Sequence, residues 1–301
     1  MPWDYLLLPL LGIVWALVAV VVANARQKGV SIFHFFMMGS FFASLIFIAI
    51  NFLTGMENLL LPQYRTALIC FVTGSLLNSF GQAVAMYNLK QGGRALAFTI
   101  PQLAFVLPYA CSIIFFGEKL TLAGASGLFM IAGAISFLSI KKSGTAVANS
   151  GAALSAKRIL IAFAAMIIIG ASQIATSIPA QLDKSSQLST LAGSMIIQIT
   201  AAVLFAVFSF FSPEKFTVAI KKCVKSSFLW GIGAAASYCT LLPALKFMGE
   251  RNQSGIVYPV GCSENIILFA LYASLFYREK LSRSQVAAFI VIIIGIFLVR
   301  A

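Results

Sequence analysis

Ten apolar blocks dominate this chain and leave little freedom in how it can fold: Tyr5–Ala23, Ile32–Leu53, Ala67–Leu89, Ala95–Phe116, Leu122–Ile140, Ile159–Ile178, Leu188–Phe211, Phe228–Met248, Gly255–Phe276 and Val286–Val299. A helix crosses the hydrocarbon of a bilayer with about 20 residues at 1.5 Å rise each, and most of these blocks reach or approach that length. A transmembrane barrel would show roughly ten-residue segments of alternating polarity, and nothing here alternates. The expected fold class is therefore an all-α membrane protein with ten transmembrane helices. Only 10% of the 301 residues are charged, against about a quarter in a soluble domain.

The net charge of +13 does not indicate nucleic-acid binding, which needs bases gathered on one folded face. The Lys and Arg residues lie instead in short loops, where they orient helices. Loops after odd-numbered helices hold Arg26, Lys28, Lys90, Arg94, Lys141, Lys142, Lys157, Arg158, Lys215, Lys221, Lys222, Lys225, Arg278, Lys280 and Arg283, fifteen of the 21 bases. The opposite side holds Arg65, Lys119, Lys184, Lys246, Arg251 and Arg300. The positive-inside rule puts the fifteen in the cytoplasm and both termini outside, in a bacterial inner membrane.

The five cysteines include no C-x-x-C pair and are odd in number, so neither a disulfide framework nor a zinc site is expected. His34 opens a span without a partner motif and reads as a helix-end residue. Ala23-Asn24-Ala25 resembles a cleavage site, but no basic segment precedes the apolar run, which reads as a retained first helix.

Two connections stand apart. Lys141–Lys157 is small, polar and Gly/Ser-rich, the composition of a flexible linker. Ser212–Ser227 places Phe216, Ile220 and Cys223 on one helical face with lysines around the rest, the pattern of a short helix lying in the membrane interface. Dividing the chain at residues 144–157 gives a first five-helix unit over 1–143 and a second over 158–301.

These units share a pattern. Phe116-Gly117-Glu118-Lys119-Leu120 closes helix four, and Tyr277-Arg278-Glu279-Lys280-Leu281 closes helix nine. Final helices ending Ser136-Phe137-Leu138 and Ile296-Phe297-Leu298 follow, while Gly92 and Arg94 precede Pro101 as Gly249 and Arg251 precede Pro259. Because each unit has an odd number of helices, the second is inverted relative to the first, an arrangement used for alternating access around a midplane site. With these features the chain resembles the drug/metabolite transporter superfamily, EamA-like branch. The resemblance implies a gradient-coupled carrier or exporter of a small metabolite, with helices one to four and six to nine around a cavity and helices five and ten peripheral. Ten-helix relatives often place both termini in the cytoplasm, opposite to the charge count, which is kept here.

An ionisable residue at mid-membrane costs on the order of 3 kcal/mol on insertion scales, so it marks a functional position. Glu264 is the clear case, within Gly261-Cys262-Ser263-Glu264-Asn265 on helix nine. It reads as a proton-coupling or cation-binding carboxylate; the structural alternative is a neutral acid tying helices together. The expected substrate and proton site is Glu264 with Asn265, Gln102, Tyr109, Asn78, Gln82, Trp15, Gln173, Gln198 and Tyr238; Ser75, Ser112, Thr176 and Ser194 extend the polar lining. Pro101, Pro108, Pro243 and Pro259 are candidate kinks. Glu118 and Glu279 are expected to cap the next helix or pair with a neighbouring base.

Paired acids, H-E-x-x-H and Walker-type loops are missing from the sequence, which argues against a membrane enzyme or a self-contained ATP-driven pump. No cofactor or metal is expected. The partners are a small polar metabolite (an amino acid, amine, sugar or nucleoside), the lipid bilayer and protons, in a monomer or homodimer. A membrane-embedded enzyme or non-coupled channel is the alternative.

Overall fold

The structure is a computed structural model that describes residues 6–27, 29–55, 57–90, 100–119, 121–147, 156–212, 214–276 and 282–300. Among the described residues the chain is helical, with no strand. Its ten helices are α1 (Leu7–Gln27), α2 (Ile32–Thr54), α3 (Arg65–Lys90), α4 (Ile100–Phe115), α5 (Leu122–Val147), α6 (Ala156–Ser177), α7 (Thr190–Phe210), α8 (Phe216–Gly249), α9 (Val257–Phe276) and α10 (Arg283–Arg300). Seven of them, α1 to α3 and α6 to α9, are long and apolar enough to cross a membrane. The helix Ile100–Phe115 and the stretches Leu122–Leu138 and Arg283–Val299 are shorter apolar helices. Large apolar side chains such as Phe52, Phe129, Leu160 and Phe210 point outward at 70% exposure or more, a surface that lipid solvates and water does not.

The packing follows a simple plan. Helix α2 lies against α7 and α8, α3 against α6 and α7, and α1 against α8 and α9. Helix α4 packs on α6 and on the short turn Ser254–Ile256 ahead of α9, while α5 and α10 pair with each other. Close approach at the α5–α10 pair requires glycine: a methyl group at Gly127 would lie 2.5 Å from the Gly295 carbonyl oxygen, and one at Gly295 would lie 2.9 Å from the Gly127 carbonyl oxygen. Small residues at a crossing let backbones touch, which is how membrane helices gain packing energy without a hydrophobic drive.

One end of the bundle gathers the turns near Glu57, Glu118, Lys184 and Glu250. The Ser189 N–H donates to Glu57 Oε2 at 3.0 Å, and Lys184 lies 3.8 Å from Glu250. At the other end Phe35, Phe36, Phe205 and Trp230 form an aromatic cluster, with Phe36 5.2 Å from both Phe205 and Trp230. His34 is buried beside it, its Nδ1 2.9 Å from the Ser31 hydroxyl, in keeping with a helix-end histidine.

One expectation about a connection is corrected. Residues Phe216–Ser227 are not a separate interfacial helix but the first turns of the 34-residue α8. No helix breaker separates Ser227 from Phe228, so the hydrogen-bond ladder runs on. The buried face is Ala219, Cys223 and Ser227, each fully buried, whereas Phe216 is half exposed. A stripe of small residues at i, i+4 and i+8 fits against protein better than it anchors in lipid. At the polar stretch after helix five, α5 continues to Val147 and α6 begins at Ala156; residues 148–155 lie outside the described residues. Of the prolines, Pro243 falls inside α8, and Pro101 precedes a 3-10 turn at Leu103–Phe105 within α4. Pro259 falls in the first turn of α9, where its missing N–H has no helical partner to lose.

Candidate functional site

Glu264 is the eighth residue of the 20-residue α9, a helix that packs along α1. The two helices approach where α1 carries Gly12. A methyl group at Gly12 would collide with the Glu264 Cβ and lie 2.6 Å from its Oε2. Glycine at this position makes the seat in which the carboxyl rests. One turn earlier, α9 presents Gly261, and there a methyl group would lie 3.0 Å from the Trp15 ring and 3.1 Å from Leu11. The two glycines thus interlock with opposing side chains, Gly12 with Glu264 and Gly261 with Trp15.

The Trp15 ring also stacks on Tyr258, with centroids 6.4 Å apart and planes inclined by 29°. Tyr258 is buried at the start of α9, its hydroxyl facing Ser177 and Thr176 of α6, with Tyr238 of α8 in electrostatic reach. Thr176 Oγ1 donates to the Ser172 carbonyl at 2.8 Å, and Ser177 Oγ donates to the Gln173 carbonyl at 2.7 Å. Each hydroxyl has one proton, so both are left as acceptors toward the phenol of Tyr258. The acid therefore belongs to a polar and aromatic group drawn from α1, α6, α8 and α9.

Two amide oxygens on these helices, Gln173 Oε1 and Asn265 Oδ1, are buried and accept no hydrogen bond among the described residues. Buried acceptors are nearly always satisfied in a working protein. Gln198 Oε1 on α7 shares that condition at 2% exposure.

The remaining expected residues are distributed differently. Asn78 and Gln82 lie half-buried on α3, and Gln102 half-buried on α4. Ser75 of α3 donates to the Ile197 carbonyl of α7 at 2.6 Å, which makes it a tie between helices. Ser194 and Ser112 donate within their own helices. Tyr109 lines a cavity at the Glu118 end of the bundle, whose lining does not include Glu264.

Glu118 has a different partner from the expected one. It is buried, and among the described residues it neither caps α5 nor pairs with a base. Oε1 accepts from the Ser254 hydroxyl at 2.6 Å, and the Gly255 N–H donates to both carboxylate oxygens at 3.1 and 3.2 Å. Gln181 then donates to Ser254 Oγ at 2.8 Å. Acceptors at a helix start complement its unpaired N–H groups and dipole, so the end of α4 clasps the start of α9 and, through Ser254, the end of α6. Glu279 lies outside the described residues.

Gly12 and Tyr258 were missed by sequence reasoning. A Tyr-Pro pair opening a span is a weak signal for Tyr258, and Gly12 has no local signal at all.

Residues 2–140 match the EamA-like transporter family. No curated protein matches the chain. Among solved structures, one crystal structure superposes with a TM-score of 0.71 at 18% identity, covering 96% of this chain and 94% of that one. Such a likeness establishes a common fold across almost the full length.

Proposed function

We propose, from the match of residues 2–140 to the EamA-like transporter family, that the chain is a secondary transporter of a small polar metabolite, coupled to protons or to exchange. The observation that carries the proposal is Glu264, a carboxyl near the middle of a membrane helix, seated on Gly12 and flanked through α9 by Trp15 and Tyr258. A carboxyl in this setting can exchange a proton or hold a cation, the usual role of an intramembrane acid. Trp15, Tyr258 and Tyr238 offer ring faces to an amine, and Gln173 and Asn265 offer amide oxygens to its polar groups.

The helix partners support two inverted five-helix units working by alternating access. Exchanging α1 with α6, α2 with α7, α3 with α8 and α4 with α9 converts α1–α8 into α6–α3, α1–α9 into α6–α4, and α2–α8 into α7–α3, all of which are packed pairs. The α2–α7 and α5–α10 pairs map onto themselves. In this reading the protein resides in a bacterial inner membrane with the end rich in Lys and Arg in the cytoplasm and both termini outside. Among the described residues no group of His, Cys, Asp and Glu is placed to hold a metal ion, and the family match favours transport over enzymatic chemistry.

The test is a thermal-shift screen of a metabolite library on the purified protein, followed by uptake of the hits into proteoliposomes. Glu264→Gln removes the exchangeable proton while keeping size and shape. Binding with uptake that follows an imposed pH or exchange gradient in wild type, and loses that response in the variant, supports the proposal. Gradient-independent uptake in both would place the protein among channels.

A further inference from the structure

At the Glu118 end of the bundle a cavity of about 420 Å³ opens between α4, the turn into α5, the turn between α8 and α9, and the end of α10. It is bordered by the peripheral α5–α10 pair, away from the Gly12–Glu264 seat. Its volume lies in the range of about 300–1,000 Å³ typical of small-molecule sites.

The lining is two-faced. Tyr109, Ile113, Ile256 and Val299 form an apolar wall. Lys119 and Arg251 stand among the lining with Asn252 and Gln253. Arg251 lies 3.6 Å above the Phe247 ring centroid, which fixes its place. Two left-handed turns shape this edge: Gly117 has φ of +68° and Asn252 of +55°. Among the described residues the lining has one carboxylate, Glu118, whose oxygens are held by Ser254 and by the N–H of Gly255 at the start of α9, which leaves Lys119 and Arg251 in excess by one charge. Two cations at a pocket with an apolar wall match an anionic group carried on an apolar body, because charge-assisted hydrogen bonds hold the former and burial holds the latter.

We propose that this cavity is a second binding site, distinct from the Glu264 site, for an anionic amphiphile whose phosphate or carboxylate group meets Lys119 and Arg251 while its apolar part lies against Tyr109, Ile256 and Val299. A soluble aromatic acid and the headgroup of an anionic phospholipid share this chemistry. An occupant would lean on the turn that starts α9, the helix that carries Glu264.

The experiment uses the full-length protein in a neutral detergent and reads its melting temperature against benzoate, dihexanoyl phosphatidylglycerol and, as the zwitterionic control of zero net headgroup charge, dihexanoyl phosphatidylcholine. Titrations are repeated on the Lys119→Gln/Arg251→Gln double variant and on Glu264→Gln. Saturable stabilisation by benzoate identifies a soluble acid as the source, and stabilisation by phosphatidylglycerol alone identifies a lipid headgroup. In either case half-saturation shifts upward by at least about tenfold in the double variant, as expected when a charge-assisted contact is lost, and stays unchanged in Glu264→Gln. If neither anion stabilises the wild type, if phosphatidylcholine does as well as phosphatidylglycerol, or if the double variant responds like wild type, the site is disproved. The Glu264 variant separates this failure from failure of the transport reading, because a missing anion site leaves metabolite binding and its Glu264 dependence intact.

Discussion

At the scale of single residues, Gly12 and Glu264 form one unit. A methyl group at position 12 has no room beside the Glu264 carboxyl, so Gly12→Ala must push α1 away from α9 or swing the acid out of its seat. Overpacking of this kind costs about 1–3 kcal/mol. The variant is expected to melt below wild type and to transport more slowly, checked by thermal unfolding and proteoliposome uptake. Glu118→Gln tests the clasp: it keeps the shape but weakens the bonds from Ser254 and Gly255, at a cost of about 1–3 kcal/mol, seen as lower thermal stability. Glu264 was legible because an acid deep in an apolar block is conspicuous. Gly12 was not, because its partner is on another helix and glycine gives no sign of what it touches. Glu118 was legible as a cap, yet its partner was misplaced: local reasoning assigns it to the next helix, while the observed N–H belongs to a residue 137 positions away.

At the scale of elements, hydropathy located all ten helices but not all their ends. Continuity of α8 across Ser227 was hidden because the lysines from Lys215 to Lys225 lower the hydropathy of its first turns without interrupting the helix. At 34 residues and 1.5 Å per residue, α8 is about 51 Å long, beyond the hydrocarbon thickness. Its first turns therefore extend past the hydrocarbon or tilt within it. The resemblance implied that α5 and α10 are peripheral, and the two helices do pack on each other. What holds them is the Gly127–Gly295 crossing, visible only once the helices are paired. Gly295→Leu is expected to separate them, lowering the melting temperature while a hit from the metabolite screen still binds at the Glu264 site. Lost binding at unchanged melting temperature would mean that the pair has a direct part in the site.

At the scale of the whole molecule, the short repeated strings around Glu118 and Glu279 led to a division into five plus five, and several of the packed pairs exchange with one another under that division. The cavity at the Glu118 end was not legible as such. Tyr109, Lys119, Arg251 and Val299 are scattered over 191 positions of the sequence and converge only in the fold, so Tyr109 was grouped with Glu264 on helical spacing alone. Alternating access makes a further prediction: the aromatic cluster of Phe35, Phe36, Phe205 and Trp230 must part when the basic end opens. Trp230 fluorescence should then change on adding a transported metabolite in wild type, and an unchanged spectrum during transport would require another opening. The central claim is that Glu264 couples transport to a gradient. Its most direct test is uptake of a screened metabolite by proteoliposomes carrying wild type or Glu264→Gln, under an imposed pH gradient and under substrate exchange. The account predicts that gradient-driven accumulation is abolished in the variant while the protein remains folded; accumulation equal to wild type under both conditions would contradict it.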